Sequence, residues 1–388
     1  MSMYTFLGYP RPDGRFGVRN HLAVLSSVVC VNEVARRIAT EVGGAALLHS
    51  QGCGQLPTDL AEVRRVLANV ATNPNVGAVL VVGLGCEGVQ ARDLAADIAA
   101  SGWPVEVLSL QETGGYTRTV ERGIELARKL QEQIRDQRRI EVDLSELTVG
   151  IKCGGSDATS GIVTNKAAGL AGDLLVAAGG SYVFCETTEL IGAEHLLAGH
   201  AISKDMGDRL CETVHRFESN IASYGVDMRG GQPSPGNMAG GITTIEEKSL
   251  GAVCKAGSSP LRNVLGYGQR PLERGLSFME SPGREKEAVT GLAATGAQVV
   301  LFTTGRGAPQ GFPIVPVVKI SANTATCSFL GEHIDVDVSG VMENRQTLPE
   351  AADAILQRLL AAASGELTRA EILGYTEGFD VYVRGPVI

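Results

Sequence analysis

The chain alternates between short apolar runs and longer amphipathic segments, and this alternation predicts an α/β protein. The run GAVLVVG at Gly77–Gly83 is apolar throughout, as expected for a central parallel strand that is buried on both faces. In the first part of the chain the pattern predicts strands at His21–Val29, Ala45–His49, Gly77–Gly83 and Val105–Leu108, and helices at Asn32–Val42, Leu56–Ala71, Glu87–Ala100 and Gly115–Gln137. This βα order predicts a doubly wound parallel sheet.

The same pattern restarts after a polar stretch, Arg135–Glu146, which we interpret as a connection between domains. Residues 225–243 contain GGQPSPGNMAGG and are predicted to lack regular structure. The later part of the chain predicts strands at Leu147–Ile151, Tyr182–Cys185, Gln298–Thr303 and Ile314–Ile320, and helices at Ile162–Ala178, Glu189–Ala198, Ala201–Tyr224 and Glu350–Ala363. The sequence therefore predicts two Rossmann-like, doubly wound α/β domains, residues 1–140 and 141–388.

Composition and charge narrow the possible partners. Glycine supplies 49 of the 388 residues, nearly twice the ~7% of an average protein, which favours many tight turns or close backbone approach to a ligand. A net charge of −9 and an aromatic content of 5% argue against nucleic acid and membrane surfaces as partners. The sequence lacks a signal peptide and a transmembrane segment, so we expect a cytoplasmic protein. Its eight cysteines, without close pairs, would then be thiols rather than disulfides.

Polar residues collect where the predicted strands end. In parallel α/β sheets ligands bind at the carboxyl ends of the strands, so we expect these segments to converge on one cleft. The segments are His49–Gly54 (HSQGCG), Gly85–Glu87 (GCE), Lys152–Asp157 (KCGGSD), Cys185–Glu189 (CETTE) and Thr303–Gly307 (TTGRG).

Three cysteines in these segments are candidates for metal binding. Cys53, Cys86 and Cys153 each follow a predicted strand and lie beside glycine and an ionisable neighbour. Together with His49 they offer a soft nitrogen and sulfur ligand set that suits iron or zinc. The alternative is that each is a small buried hydrophobic residue, which is what we expect of Cys30, Cys211, Cys254 and Cys327. The chain has no CxxC spacing of the zinc-finger kind.

Charged residues and glycine-rich loops complete the candidate site. Glu186 and Glu189 are either ligands or bases in the cleft, or acids that complement a helix dipole. Glycine-rich turns can bind carboxylate or phosphate through backbone N–H groups; the candidates are Gly154–Gly161, Ser234–Gly241 and Thr303–Gly307. Lys152 and Arg306 could add positive charge, and Asn20 either binds an anion or holds the start of the first strand.

Several longer motifs resemble a known family. The chain carries FLGYPRPDGRFGVRN at Phe6–Asn20, HSQGCG at His49–Gly54, NPNVGAVLVVGLGCE at Asn73–Glu87, KCGGSDATSGIVTN at Lys152–Asn165, PSPGNMAGGITTIEEKSLG at Pro233–Gly251 and FTTGRGAPQG at Phe302–Gly311. In this order they resemble the large catalytic region of altronate and galactarate dehydratases. The chain departs from the family pattern at Lys166, where a proline is usual, and at Asp335–Gly340.

The resemblance implies a reaction class, a cofactor and a partner. Members of the family eliminate water from sugar acids to give 2-keto-3-deoxy acids, with Fe²⁺ implicated, and a relative eliminates sulfite from 3-sulfolactate. In one-chain dehydratases a small SAF domain precedes the opening motif, whereas this sequence starts at that motif. The resemblance therefore implies the large subunit of a two-subunit enzyme, with a separate SAF-domain subunit and a homo-oligomer of the large subunit.

Residues and resemblance together predict a metal-dependent hydro-lyase for a small hydroxy-carboxylate. The alternatives are a sulfolactate sulfo-lyase subunit and, in another class, a non-catalytic sugar-acid-binding protein. Fe²⁺ is the expected cofactor, with an iron–sulfur cluster or Mn²⁺ as alternatives. The catalytic candidates are His49, Glu87, Lys152, Glu186 and Glu189; the substrate-binding candidates are Arg19, Asn20, Gly154, Gly155, Ser156, Asp157, Asn237, Thr304 and Arg306; and the metal-ligand candidates are His49, Cys53, Cys86 and Cys153.

Overall fold

Two parallel β-sheets, flanked by helices, organise the computed structural model, which describes residues 4–388. The strands are β1 (Thr5–Pro10), β2 (Phe16–Gly17), β3 (His21–Ser26), β4 (Ala45–Leu47), β5 (Val76–Gly83), β6 (Val105–Ser109), β7 (Ile140–Asp143), β8 (Thr148–Cys153), β9 (Ser181–Phe184), β10 (Leu261–Leu265), β11 (Leu276–Met279), β12 (Val299–Thr303), β13 (Val317–Ser321) and β14 (Val336–Asp337). The helices are α1 (Asn32–Val42), α2 (Pro57–Ala71), α3 (Ala91–Ala100), α4 (Leu110–Thr113), α5 (Tyr116–Arg135), α6 (Asn165–Ala177), α7 (Glu194–Ala198), α8 (Lys204–Ala222), α9 (Met228–Gly231), α10 (Pro235–Ala239), α11 (Ile245–Val253), α12 (Glu285–Ala294), α13 (Thr324–Phe329), α14 (Leu348–Ala363) and α15 (Arg369–Ile372).

The predicted α/β class is confirmed. The first sheet has the order β4-β3-β5-β6 and the second has the order β10-β11-β9-β8-β12-β13-β14; the pairs in both sheets are parallel. β5 is buried at all of its eight positions, as its uninterrupted apolar run predicts for a central strand.

Each sheet reverses its strand order at one place. In the first sheet the reversal lies between β3 and β5, and in the second it lies between β8 and β12. At such a reversal the loops leaving two neighbouring strands turn to opposite faces of the sheet and open a crevice. The loops after these four strands are therefore the places where the fold itself provides room for a ligand.

Three features of the fold differ from the prediction. The polar stretch interpreted as a plain connection contains β7, which pairs antiparallel with β1, and β1 also pairs with β2. Residues 225–243 are not without regular structure, because α9 and α10 lie there; Ser234 and Asn237 form a reciprocal capping box at the start of α10. Sequence analysis also missed β10, β11 and α12.

The apolar core is continuous between the two sheets. One cluster of buried residues joins Leu25 of β3 and Val66 of α2 to Leu292 of α12 and Phe302 of β12. Asn73 and Asn75, just before β5, reinforce this contact, since their side-chain amides donate to backbone carbonyls at residues 293, 297, 298 and 314. No helix in residues 4–388 is long and apolar enough to cross a bilayer.

Candidate active site at the strand reversal of the seven-stranded sheet

A buried network of acid, thiol and ammonium groups lies where β8 and β9 end. The Cys153 thiol lies 2.9 Å from Glu189 Oε2, and the Cys153 backbone N–H donates to Glu186 Oε2 at 2.9 Å. Lys255, which follows α11, donates from Nζ to Glu186 Oε2 at 2.8 Å and to Glu189 Oε2 at 2.6 Å. All four residues are buried, so Lys255 compensates the charge of two carboxylates that have lost most of their hydration.

The two carboxylates of this network have opposite proton affinities. Desolvation and the neighbouring Glu189 raise the pKa of Glu186. Burial acts in the same direction on Glu189, but the charges of Lys255 and Lys248 outweigh it and hold the pKa of Glu189 well below its usual range. Desolvation and Glu189 raise the pKa of the Cys153 thiol to about 12. Glu189 is therefore an ionised acceptor, and Cys153 is a protonated thiol in this state of the site.

Lys152 is the second buried ammonium group of the site. Its Nζ lies 3.3 Å from Glu186 Oε1 and 3.8 Å from Glu285 Oε1, and 5.0 Å from the centre of the Phe302 ring. Desolvation lowers its pKa, but the charge of Glu186 outweighs this and leaves it raised. Within the described residues this Nζ makes no hydrogen bond. The positive charge of Lys152 is therefore compensated by the Glu186 and Glu285 carboxylates through ion pairs rather than through a hydrogen bond.

The same network contains a set of metal-type ligands. Cys153, Glu186 and Glu189 each offer one ligand atom, and these atoms lie within 4.8 Å of one another. Across residues 4–388 this is the one such group of three His, Cys, Asp or Glu side chains. The geometry therefore allows one ion, which would compete with Lys255 for the two carboxylates.

The glycine-rich loops meet beside this network, as their positions at the strand ends predict. The backbone N–H groups of Gly305 and Arg306 donate to Gly155 O at 3.1 and 3.0 Å. Asn237 donates from its amide to Ser156 O at 2.9 Å. Thr304 closes its own turn, since its hydroxyl accepts from the backbone of residues 307 and 308. Gly154 N donates to Thr303 O, which ties the loop after β8 to the end of β12.

Two cavities open beside these loops. One, of about 330 Å³, is lined by Cys153, Ser156, Glu189, Lys248 and Lys166 among others. The second, of about 410 Å³, is lined by Arg306 and Asn323 among others, and Asp157 lines both. The carboxylate of Asp157 is held in place because it accepts from Asn323 at 2.7 Å and from Thr159 at 2.7 Å. A volume of this size suits a small organic acid.

His49 and Glu87 lie elsewhere, at the carboxyl edge of the four-stranded sheet. The His49 ring is buried, with Nε2 2.8 Å from Ser26 O and Nδ1 accepting from Gln51 N at 3.1 Å. Desolvation lowers the pKa of His49, so the ring is neutral and both nitrogens are already engaged. Glu87 is also buried, and it accepts from the Ser27 hydroxyl and from Gly85 N.

Cys53 and Cys86 lie at that same edge, and both are exposed. The structure does not bring them into a single-ion group with Cys153 among the described residues. The expectation that Cys30 is a buried hydrophobic residue is wrong, because Cys30 is exposed; Cys211, Cys254 and Cys327 are partly buried. Cys30 lies in a short 3-10 turn, Val29–Val31, between β3 and α1, and of this turn Val31 is the buried residue.

Arg19 and Asn20 lie before β3, at its amino end. The Arg19 guanidinium is fully engaged: it binds the Glu371 carboxylate at 2.7 and 2.9 Å and donates to three backbone carbonyls, of Val18, Ala362 and Glu366. Asn20 bridges Arg11 and Ile134 O. Of the two readings offered by the sequence, these contacts favour holding the start of the strand over binding an anion.

Sequence analysis missed several residues of the buried network. Lys248 lies in the charged segment Thr243–Ser249, which the sequence allows either as a solvated helix start or as part of the site, and the structure places Lys248 in the cavity wall. Glu285 and Asn323 carried no signal in the sequence. Lys255 lies in an unremarkable segment, AVCKAG, after α11. A buried lysine has no local sequence signature, since only the folded chain shows that it faces two carboxylates.

Comparison with known proteins assigns the chain to a class. Residues 144–385 match the family D-galactarate/Altronate dehydratase, C-terminal, and residues 8–135 match D-galactarate dehydratase/Altronate hydrolase, second domain. The chain is 40% identical to the (2R)-sulfolactate sulfo-lyase subunit beta of Chromohalobacter salexigens, over 96% of both chains. It is 36% identical to the altronate dehydratase of Bacillus subtilis, over 95% of this chain and 75% of that protein. It is 35% identical to the galactarate dehydratase (L-threo-forming) of Escherichia coli, over 94% of this chain and 73% of that protein.

These relatives are dehydratases, which break carbon–oxygen bonds, and a sulfo-lyase. The chain is accordingly a lyase. It belongs to the D-galactarate/altronate dehydratase family, because the two regions that match the family cover this chain almost from end to end.

Proposed function

We propose that this chain is the large subunit of a metal-dependent hydro-lyase, which removes water from a sugar acid or related hydroxy-carboxylate to give a 2-keto-3-deoxy acid. The observation that carries the proposal is the ionised Glu189, which lines a cavity of about 330 Å³ together with the ammonium group of Lys248, 3.4 Å from Glu189 Oε1. An acid and a base side by side in one cavity are what a β-elimination requires.

In this proposal the substrate carboxylate is held by positive charge and by the loop after β8. Lys166 is exposed at the cavity wall, and Ser156 lines the same cavity. Arg306 is exposed, with one weak contact to Gly236 O at 3.4 Å, so it is available for an acid group on the other side of Asp157. Gly154, Gly155, Asn237 and Thr304 shape the loops that present these side chains.

Glu189 and Lys248 together can accept and donate the protons that the elimination requires. Glu189 accepts the C2 proton of the substrate as the bond from C3 to its hydroxyl breaks, and Lys248 donates a proton to that hydroxyl, which leaves as water. The enol then becomes the 2-keto acid, and a proton passing from Glu189 to Lys248 restores the pair. Lys255, Glu186 and Lys152 lie behind Glu189 and fix its orientation and charge.

A carboxylate with a lowered pKa is a weak base, and the C2 proton beside a carboxylate is a weak acid. Fe²⁺ is the proposed cofactor, with Mn²⁺ or an iron–sulfur cluster as alternatives, and when bound it would make that proton more acidic by polarising the substrate oxygens. Cys153, Glu186 and Glu189 fit such an ion in ligand type and spacing. Metal binding by His49, Cys53 and Cys86 stays a separate prediction, because these residues lie at the edge of the four-stranded sheet.

A second function is favoured by a specific observation. The sulfo-lyase subunit beta matches this chain over 96% of its own length, whereas the dehydratases are longer. In a sulfo-lyase reaction the same base would take the C2 proton of 3-sulfolactate, sulfite would leave C3, and the enol would become pyruvate. The name of this relative, a subunit beta, supports a partner subunit; a small SAF-domain subunit as that partner and a homo-oligomer of the large subunit stay predictions.

One assay distinguishes these functions. The chain, with and without the small subunit, is supplied with altronate, galactarate and 3-sulfolactate under anaerobic conditions with Fe²⁺. We expect 2-keto acid from a sugar acid, and sulfite with pyruvate if the sulfo-lyase reaction is the true one. Binding of a sugar acid without product, in the presence of the small subunit and metal, would make the chain a non-catalytic binding protein.

Metal binding at the buried network is tested by replacing Cys153 with serine. We expect Cys153→Ser to lower the amount of Fe²⁺ bound per chain and to raise its dissociation constant by roughly tenfold or more, because a soft sulfur ligand is lost. Elemental analysis after anaerobic purification measures the first quantity, and competition with a chelator measures the second. The matched control is Cys211→Ser, a partly buried thiol on α8. Equal iron in both variants would remove Cys153 from the site.

A further inference from the structure

Three exposed cysteines follow three adjacent strands at the carboxyl edge of the four-stranded sheet. Cys30 follows β3, Cys53 follows β4 and Cys86 follows β5, and all three are exposed. None of the three thiols makes a hydrogen bond within residues 4–388. In contrast, the thiols of four others donate hydrogen bonds to protein oxygens, namely Cys153, Cys185, Cys254 and Cys327.

Backbone hydrogen bonds tie the three cysteine loops to one another. Val29 N donates to Gln51 O at 3.0 Å, next to Cys30, and Gly88 N donates to Gly52 O at 2.9 Å, next to Cys53. Since a chain spans at most ~3.6 Å per residue, Cys86 is held near the same point by Gly88. The loops with Cys30, Cys53 and Cys86 therefore pack as one unit and are not three independent loops.

Glycine at position 52 makes this close approach possible. Its φ is +104°, and a Cβ at this position would meet Ser27 O at 2.3 Å and the Val28 Cα at 2.8 Å. Any other residue would push the loop with Cys53 away from the loop with Cys30. The packing at Gly52 therefore places these two thiol-bearing loops in direct contact.

The position of this unit in the fold is one that binds ligands. The strand order of the first sheet reverses between β3 and β5, so Cys30 and Cys86 follow the two strands that flank the crevice. The sequence alone predicts a buried, structural role for Cys30, because nothing in its local sequence distinguishes it.

The loop with Cys53 is also fixed from its other side by the segment after Asp380. Ser50 donates to the Asp380 carboxylate at 3.0 Å, Gln51 contacts Val381 O at 3.3 Å, and the Ile388 N–H donates to Gly54 O at 2.8 Å. A loop clamped on two sides presents its thiol in a defined place, which is what a preorganised ligand requires.

We propose that Cys30, Cys53 and Cys86 bind an iron–sulfur cluster, with one iron left without a protein ligand. Their ligand atoms do not form a group within the 4.8 Å that marks a single-ion set among residues 4–388, and a multinuclear cluster takes cysteine ligands that are spread more widely. Three thiolates from three loops leave one position of a four-iron cluster open. The proposal is independent of the elimination chemistry assigned to Glu189 and Lys248.

Anaerobic reconstitution of the full chain with iron and sulfide tests the proposal. We expect about four sulfides and four cluster irons per chain, in addition to the single ion proposed at Cys153, with the broad visible absorption of a cluster and an EPR signal after reduction. Cys30→Ser, Cys53→Ser and Cys86→Ser should each lose most of the sulfide and the absorption. Since the three thiols are exposed, the variants should keep the wild-type circular dichroism, and the corresponding alanine variants repeat the test if a serine variant does not fold.

Cys211→Ser serves as the matched control and should retain the cluster. Cys153→Ser separates the two sites: it should keep sulfide and visible absorption, whatever its effect on elimination. The proposal is overturned if the wild-type chain binds no sulfide, if it takes up a single metal ion without sulfide, or if Cys30→Ser retains the full cluster.

Discussion

Glu189→Gln is expected to lower kcat by about 10²–10⁴-fold, the range typical for loss of a general base. Glutamine keeps the size of the side chain and can still contact the Cys153 thiol, but it cannot accept the C2 proton. Because the pKa of Glu189 is held low by Lys255 and Lys248, the loss should persist across the neutral and alkaline range rather than being recovered at high pH. Steady-state release of keto acid or sulfite from the competent substrate measures it.

The control for this variant is Glu246→Gln. Glu246 lies in the first turn of α11, two residues before Lys248, but it is exposed and pairs with Arg229 at 3.4 Å. It should retain wild-type kcat. Thermal unfolding of both variants shows whether the buried network tolerates the change. A folded Glu189→Gln enzyme with kcat within twofold of wild type would contradict the assigned role of Glu189.

Arg19→Ala is expected to reduce the free energy of unfolding by about 3–5 kcal/mol, as when one partner of a buried ion pair is removed. The Arg19 side chain is 7% exposed and that of Glu371 is 18% exposed. The change would leave the Glu371 carboxylate without its cation and three backbone carbonyls without their donor. Denaturant unfolding followed by circular dichroism measures the loss, with Arg92→Ala as control, since the exposed Arg92 side chain should leave the stability almost unchanged.

The same pair predicts a pH dependence with a definite sign. Burial would raise the pKa of Glu371, but the hydrogen bond and charge of Arg19 outweigh it and lower the pKa below its usual 4.5. A lowered folded-state pKa contributes stability above the ordinary pKa, and this contribution is lost as the pH falls through the lowered one. Wild type should therefore lose stability below about pH 4.5, and Arg19→Ala should lose less over that interval. If the free energy of unfolding fell by the same amount in wild type and in Arg19→Ala below pH 4.5, this prediction would be wrong.

The fold was largely predictable because parallel strands that are buried on both faces leave uninterrupted apolar runs. Gly77–Gly83 is such a run, and it became β5 with its bounds almost unchanged. β1 and β7 were not predicted, because each is short and partly exposed, and their pairing joins residues more than a hundred positions apart. β10 carries Arg262 and Asn263 among its five residues, so its sequence lacks the apolar run that predicts a buried strand and resembles a polar loop.

The site was predictable in part for a different reason. The position of Glu186 and Glu189 after a strand was visible in the sequence, and the structure places both beside Cys153 and Lys152. The expectation of a single cleft depended on strand order, which no local pattern contains. The fold separates the strand ends into two edges, one with Cys153 and one with Cys53 and Cys86. Lys255 could not be found without the folded chain.

The apolar cluster that joins α2 and β3 to α12 and β12 makes the two sheets thermodynamically one body. Neither sheet can melt alone without exposing apolar surface of the other, so unfolding should be a single cooperative event. Calorimetry should then give equal calorimetric and van't Hoff enthalpies, and two resolved transitions would contradict this. Damage far from the catalytic cavity, at either sheet, would on this account lower the population of competent enzyme as a whole rather than disable one half.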